Sequence, residues 1–103
     1  MDQHQILQLD PIIHAPTRLA ILSILITVEN ANFTFLKESI GVTDGNLSTH
    51  LTKLESSGIV TIEKTFKGKK PQTICAITDK GRDAFKNYLD QLEQIVQSQK
   101  HKK

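Results

Sequence analysis

The chain has a single cysteine, Cys75, in 103 residues, and that scarcity removes two classes of protein. No internal disulfide framework can form, and no thiolate cluster can hold a structural metal. The four histidines, His4, His14, His50 and His101, are dispersed. A metal site would need ligands recruited from a second copy, so neither a metal nor any other cofactor is expected. Long apolar runs are also missing. The longest, Ala20 to Val28, is broken by Ser23 and Thr27 and is too short to cross a bilayer. The start, Met-Asp-Gln-His-Gln, lacks a basic segment followed by an apolar one, so no signal peptide is expected and the compartment is expected to be cytoplasmic. There is no glycine-rich phosphate loop, no paired buried carboxylates and no nucleophile–base pair with credible spacing. Asp79 and Asp83 lie beside Lys80 and Arg82, the usual setting of solvated acids. No enzyme is expected.

What is present suits one globular domain over residues 1–103, divided into a core with a hairpin (1–78) and an appended helix (79–99). Hydrophobic residues make up 38% and charged residues 23%, and the net charge is only +2. The distribution is less even. Residues 1–58 hold three cations (Arg18, Lys37, Lys53) against six acids, whereas 59–103 hold ten against five. Between Lys64 and Arg82 there are six cations and one acid, Asp79. Such asymmetry fits a protein that touches a polyanion with one edge, and equally a solvated lysine-rich loop with a basic tail.

The stretch Thr43 to Gly58 narrows the choice. Leu47, Leu51 and Leu54 fall at i, i+4 and i+7, one apolar helical stripe. Outside it lie Asn46, Ser48, Thr49, Thr52 and Lys53. Ser, Thr and Asn are poor helix formers, so their concentration on one face asks for another reason. Short polar side chains let a helix approach phosphates and base edges closely, and they bond to both. A DNA-recognition helix over about 44–57 is expected. Asn46 is the candidate for a bidentate adenine contact; Ser48, Thr49 and Lys53 are candidates for mixed base and phosphate contacts. Thr43 or Asp44 caps this helix, and Gly45 suits a close backbone approach to phosphate or merely lacks a steric demand. His50 reaches either a phosphate or the boundary against the hairpin.

The surrounding elements complete the pattern. A short helix before Pro11 is followed by a central helix from Pro16 or Thr17 to about Val28, apolar on nearly every side, with Arg18 near its start placed to pair with an acid or reach a phosphate. Phe33 packs inward in a very short strand, Thr34 caps a short helix with Phe35, Leu36 and Ile40 inside, and Gly41 ends it. Ile59–Phe66 and Gln72–Thr78 read as strands around the turn Lys67-Gly68-Lys69-Lys70-Pro71. This wing, 64–72, carries Lys64, Lys67, Lys69 and Lys70, cations suited to the flanking backbone; lysines also blunt a free sheet edge. Thr78 caps the last helix. Its stripe of Phe85, Tyr88, Leu89, Leu92, Ile95 and Val96 is expected to form a homodimer interface, with intramolecular packing as the other option. The Gln-Ser-Gln-Lys-His-Lys-Lys end is expected to fray. Cys75, on the strand face of Ile77, reads as a small buried hydrophobe.

Taken in order, Pro16–Leu22, Thr43–Val60, and the pair Lys70–Thr73 and Ile77–Arg82 resemble small single-domain winged-helix transcriptional regulators of the MarR and ArsR type. The resemblance covers about residues 10–90. It implies a mainly α fold with a small β-hairpin, a winged helix-turn-helix plus a C-terminal helix. It also implies a dimeric, sequence-specific reader of double-stranded DNA. The metal ligands of the metal-sensing relatives are missing, and the shorter chain leaves a small-molecule effector open. The alternative is a winged helix used for protein contact within the transcription machinery.

Overall fold

A computed structural model describes residues 4–100. Along the chain run α1 (His4–Leu7), α2 (Pro16–Leu25), β1 (Ala31–Asn32), α3 (Phe33–Ile40), α4 (Asp44–Ser56), β2 (Val60–Lys67), β3 (Lys70–Ile77) and α5 (Asp79–Lys100). The fold is mainly helical with a small antiparallel sheet, as expected. The sheet has a third strand, in the order β1-β3-β2. His101 and the last part of the tail expected to fray lie outside the described residues, as does the His4 side chain.

Pro16 opens α2, where its missing N–H costs nothing. Ile21, Leu22 and Leu25 lie at the centre of the core with no exposed surface. The helix stops at Leu25 rather than near Val28. The chain has to turn there to bring Ala31 opposite Cys75 and Asn32 opposite Ile74. The short strand is therefore Ala31–Asn32, not Phe33. Asn32 takes the capping role expected of Thr34, its Oδ1 accepting from the Phe35 N–H at 2.7 Å. Leu36 fills the core beneath α3, and Phe35, one residue away and so rotated by about 100°, is 51% exposed instead of inside.

Gly41 ends α3 at φ 80°, in the left-handed region that glycine adopts without strain. Thr43 then caps α4, its hydroxyl accepting from the Asn46 N–H at 3.1 Å. Leu47, Leu51 and Leu54 are buried as one stripe. Gly58 closes α4 at φ 77°. Its N–H donates to the Glu55 carbonyl, and the next N–H, from Ile59, reaches back to Leu54 at 3.0 Å. This pair of bonds satisfies carbonyls that would otherwise be orphaned.

In the wing Lys67 pairs with Lys70, leaving a two-residue turn at Gly68-Lys69. Gly68 has φ 66° and Lys69 has no positive φ, the pattern of a type II′ turn. Cys75 is fully buried in β3, and burial together with the Glu55 charge pushes its thiol up to about 11. It is the small hydrophobe its strand position predicts. Thr78 caps α5 by accepting from the Gly81 N–H at 2.9 Å.

The α5 stripe divides in a way its spacing does not reveal. Phe85, Tyr88 and Ile95 are buried within their own chain. Tyr88 bonds His14 Nδ1 through its hydroxyl at 2.8 Å, and its ring lies parallel to that of Phe85 at 6.4 Å. These three were expected at a partner's surface; instead they are buried in their own chain, where His14 reaches Tyr88 and α1 packs against α5. Leu89 (44%) and Val96 (42%) stay exposed, with Leu92 half-buried between them.

Candidate nucleic-acid interface

Helix α4 is seated by its three leucines, and every other group on it takes its position from that anchor. Gly45, Thr49, Thr52 and Ser56 point directly away from the leucine stripe, and all are exposed. One flank, carrying Asn46, His50 and Lys53, turns toward the start of α2. The other, carrying Asp44, Ser48 and Glu55, turns toward the wing. These line an open cleft opposite Lys64 and Thr73.

The hydrogen bonds determine which polar groups remain available. The Thr49 hydroxyl donates to the Gly45 carbonyl at 2.9 Å, so its lone pairs and methyl face outward. Thr43 is occupied as a cap. The side chains of Asn46, Ser48, Thr52 and Lys53 have no partner among the described residues. Asp44 does not cap α4, as the sequence alone allowed, but sits in its first turn. Its carboxylate lies 2.9 Å from Lys37 Nζ, across the turn between the two helices. That hydrogen bond and charge hold the Lys37 ammonium above its ordinary pKa. A Cβ at Gly45 would meet nothing within 4 Å, so no contact among the described residues requires glycine there.

Arg18 departs furthest from expectation. It is 9% exposed and pairs with no acid among the described residues. Its guanidinium donates to the carbonyls of Ile12 and Pro11 and to Nδ1 of His50 at 3.0 Å. His50 is therefore tied to α2, not to the wing. Burial, the Arg18 charge and Lys53 hold its pKa below the ordinary value.

The wing lysines separate by strand parity. Lys64 shares the inner face of the hairpin with Val60 and Ile62, the face that looks onto α4. Lys67 and Lys70 oppose each other on the outer face near the tip, and Lys69 sits in the turn. None of the four forms an ion pair among the described residues. Sequence reading overlooked Phe66. It lies on the inner face with Lys64, opposite Pro71, and is 69% exposed. Its even spacing from Val60, Ile62 and Lys64 was the available signal.

Two helices joined by a tight glycine turn, a polar outer helix face and a lysine-tipped hairpin beside it define a winged helix-turn-helix protein. The chain belongs to the winged helix DNA-binding domain family, whose model matches residues 17–96. It is 43% identical over 84 residues to the uncharacterized protein MJ0432 of Methanocaldococcus jannaschii, a match covering 82% of this chain and 91% of that protein. Its fold is similar to that of a transcriptional regulator homologue from Pyrococcus horikoshii, with TM-score 0.86 and 28% identity over 95% of this chain and 97% of that one. The transcriptional repressor CouR, solved bound to a 23-mer DNA duplex, shares the fold at 22% identity and TM-score 0.69, over 88% of this chain and 61% of CouR. Structures described as MarR-, ArsR- and PadR-family regulators have it as well, in agreement with the resemblance read from the sequence.

Proposed function

We propose that the protein is a transcription regulator that binds double-stranded DNA sequence-specifically as a homodimer. Helix α4 enters the major groove and the wing lies on the flanking backbone. The observation that carries this reading is the state of the α4 surface. Its leucines are consumed by the core, while Asn46, Ser48, Thr52 and Lys53 are exposed with their hydrogen-bonding capacity unspent. Asn46 suits adenine, Ser48 and Thr52 suit either base edges or phosphate, and Lys53 suits phosphate. Lys64, Lys67, Lys69 and Lys70 supply counterion-releasing charge, and Phe66 is the apolar member of the wing surface. CouR's duplex shows that another protein of this fold takes DNA.

The dimer reading rests on α5, the dimerisation part of a single-domain chain. Leu89, Leu92 and Val96 follow one another at i, i+3 and i+7, the spacing of a helix–helix seam, with Leu89 and Val96 exposed and Leu92 half-buried between them. Ile6 and Leu7 on α1, which packs on α5, are further exposed apolar side chains. Two copies would present two recognition helices to half-sites about one DNA turn apart. No helix among the described residues is long and apolar enough to cross a membrane, and we place the protein in the cytoplasm with the chromosome.

Titration of a random duplex at two salt concentrations tests the reading. Affinity should fall steeply with salt, with a log–log slope of several units. An affinity indifferent to salt would favour a protein-contact role for the same fold.

A further inference from the structure

We propose that Arg18 fixes the ring proton of His50, so that the imidazole stays neutral and presents Nε2–H as a permanent donor to a DNA phosphate beside the recognition helix. The inference rests on the DNA-binding reading above and adds a positioning residue and a proton assignment to it.

The chemistry of the pair leaves one arrangement. A guanidinium carries only donors and is never deprotonated in a protein. At 3.0 Å from Arg18 Nη1, His50 Nδ1 must therefore be the acceptor, which leaves the proton on Nε2. Arg18 cannot swing away to release it, because its other nitrogens are held by the carbonyls of Pro11 and Ile12. Those carbonyls belong to a segment that is pinned further along by the His14–Tyr88 bond. Arg18 is the buried charged residue among those described, and the His50 bond completes the set of partners that makes its burial tolerable.

The free end of the ring faces outward. Nε2 has no partner among the described residues and is not among their buried unsatisfied atoms. His50 is half-exposed on the flank it shares with Asn46, one turn before, and Lys53, one turn after. A histidine on a DNA-facing flank ordinarily gains a proton as it meets phosphate, and binding then strengthens as pH falls. Here the added proton would sit on Nδ1 against the guanidinium. The charged groups acting on the ring, Arg18 from α2 and Lys53 from α4, both oppose it, as does burial. The bond to DNA is therefore a neutral N–H to a phosphate oxygen. A lysine at position 18 would be a poor substitute, lacking the planar fork that reaches two carbonyls and a ring nitrogen together.

Imidazole nitrogen NMR on the free protein and duplex titrations at constant ionic strength test the inference. In the free wild-type protein His50 should show an unprotonated Nδ1 and a protonated Nε2 from pH 6.5 to 8. A proton on Nδ1, or a cationic ring at pH 7, would overturn the assignment. On DNA, His50→Gln, whose amide nitrogen reaches the Nε2 position, should keep affinity within about threefold. His50→Asn and His50→Leu should weaken binding about tenfold on every duplex alike, the scale of one hydrogen bond to a charged group. Wild-type affinity should stay flat from pH 6.5 to 8; a gain on acidification that disappears in His50→Gln would refute the neutral donor. Should the wild-type protein bind no duplex, the DNA reading fails, while the NMR result still judges the Arg18–His50 bond.

Discussion

Gly81 faces the carbonyl of Ile59 so closely that a Cβ would run into its oxygen, with Ile77 Cγ1 at 2.9 Å on another side. The first turn of α5 thus lies directly on the backbone that leaves the recognition helix. Thr78 fastens the same junction: its hydroxyl donates to the Gly58 carbonyl at 2.6 Å while accepting from Gly81. Backbone atoms cannot yield as a side chain does. Gly81→Ala should lower unfolding free energy by roughly 1–3 kcal/mol despite the better helix propensity of alanine. Urea denaturation measures it, and an unchanged or raised midpoint would show that α5 can shift away.

Gly45 is the converse case. Alanine there meets only open space, so Gly45→Ala should stabilise the protein by about 0.5–1 kcal/mol through propensity alone. The same methyl would stand between the α4 backbone and DNA. Thermal melts should rise while duplex affinity falls. A variant that is more stable and binds equally well would show that α4 docks without close backbone approach at its first turn.

Replacing Lys67, Lys69 and Lys70 by Ala should weaken binding on all sequences alike. The log–log salt slope should drop by roughly 0.9 for each phosphate that is no longer neutralised. Phe66→Ala displaces no ion and should reduce affinity without changing that slope. An altered slope for Phe66→Ala, or an unaltered one for the lysine triple variant, would reassign the wing surface.

The outward pair on α5 offers a cleaner probe of assembly than Leu92, which is half-buried in its own chain. Leu89→Glu and Val96→Glu place carboxylates on the open face and leave the Phe85–Tyr88 cluster untouched. Solution mass should halve while far-UV circular dichroism is retained. A wild-type protein that already sediments as a monomer would dispose of the dimer.

The Cys75 thiol is held protonated by the fold, its pKa moved from 9.0 to about 11. A group raised in this way contributes fully below its unfolded value, and the contribution disappears as pH climbs through the folded one. Stability should therefore decline between pH 9 and about 11, and Cys75→Ala should show a shallower decline over that window. In the native protein at pH 8, alkylation should proceed only at the rate of opening. Rapid labelling without unfolding would mean that the thiol is reachable.

Much of the molecule is written in short stretches. The leucine spacing of α4, the glycine stops at Gly41 and Gly58, the Thr78 cap and the hairpin around Gly68 each rest on forces acting within about four residues, so local pattern predicts them. Partners are another matter. Phe85 and Tyr88 share a periodicity with Leu89 and Val96, yet the first two are inside and the last two outside. For Tyr88 the partner is His14, far away in sequence, and no local periodicity reveals it. Asp44 finds Lys37 and Arg18 meets His50 because the path of the chain brings them together. The sequence alone determined which helix is polar and which loop is cationic. Only the tertiary structure decided which of those groups are already spent on one another, because a hydrogen bond has a short reach and its partner is chosen by the fold.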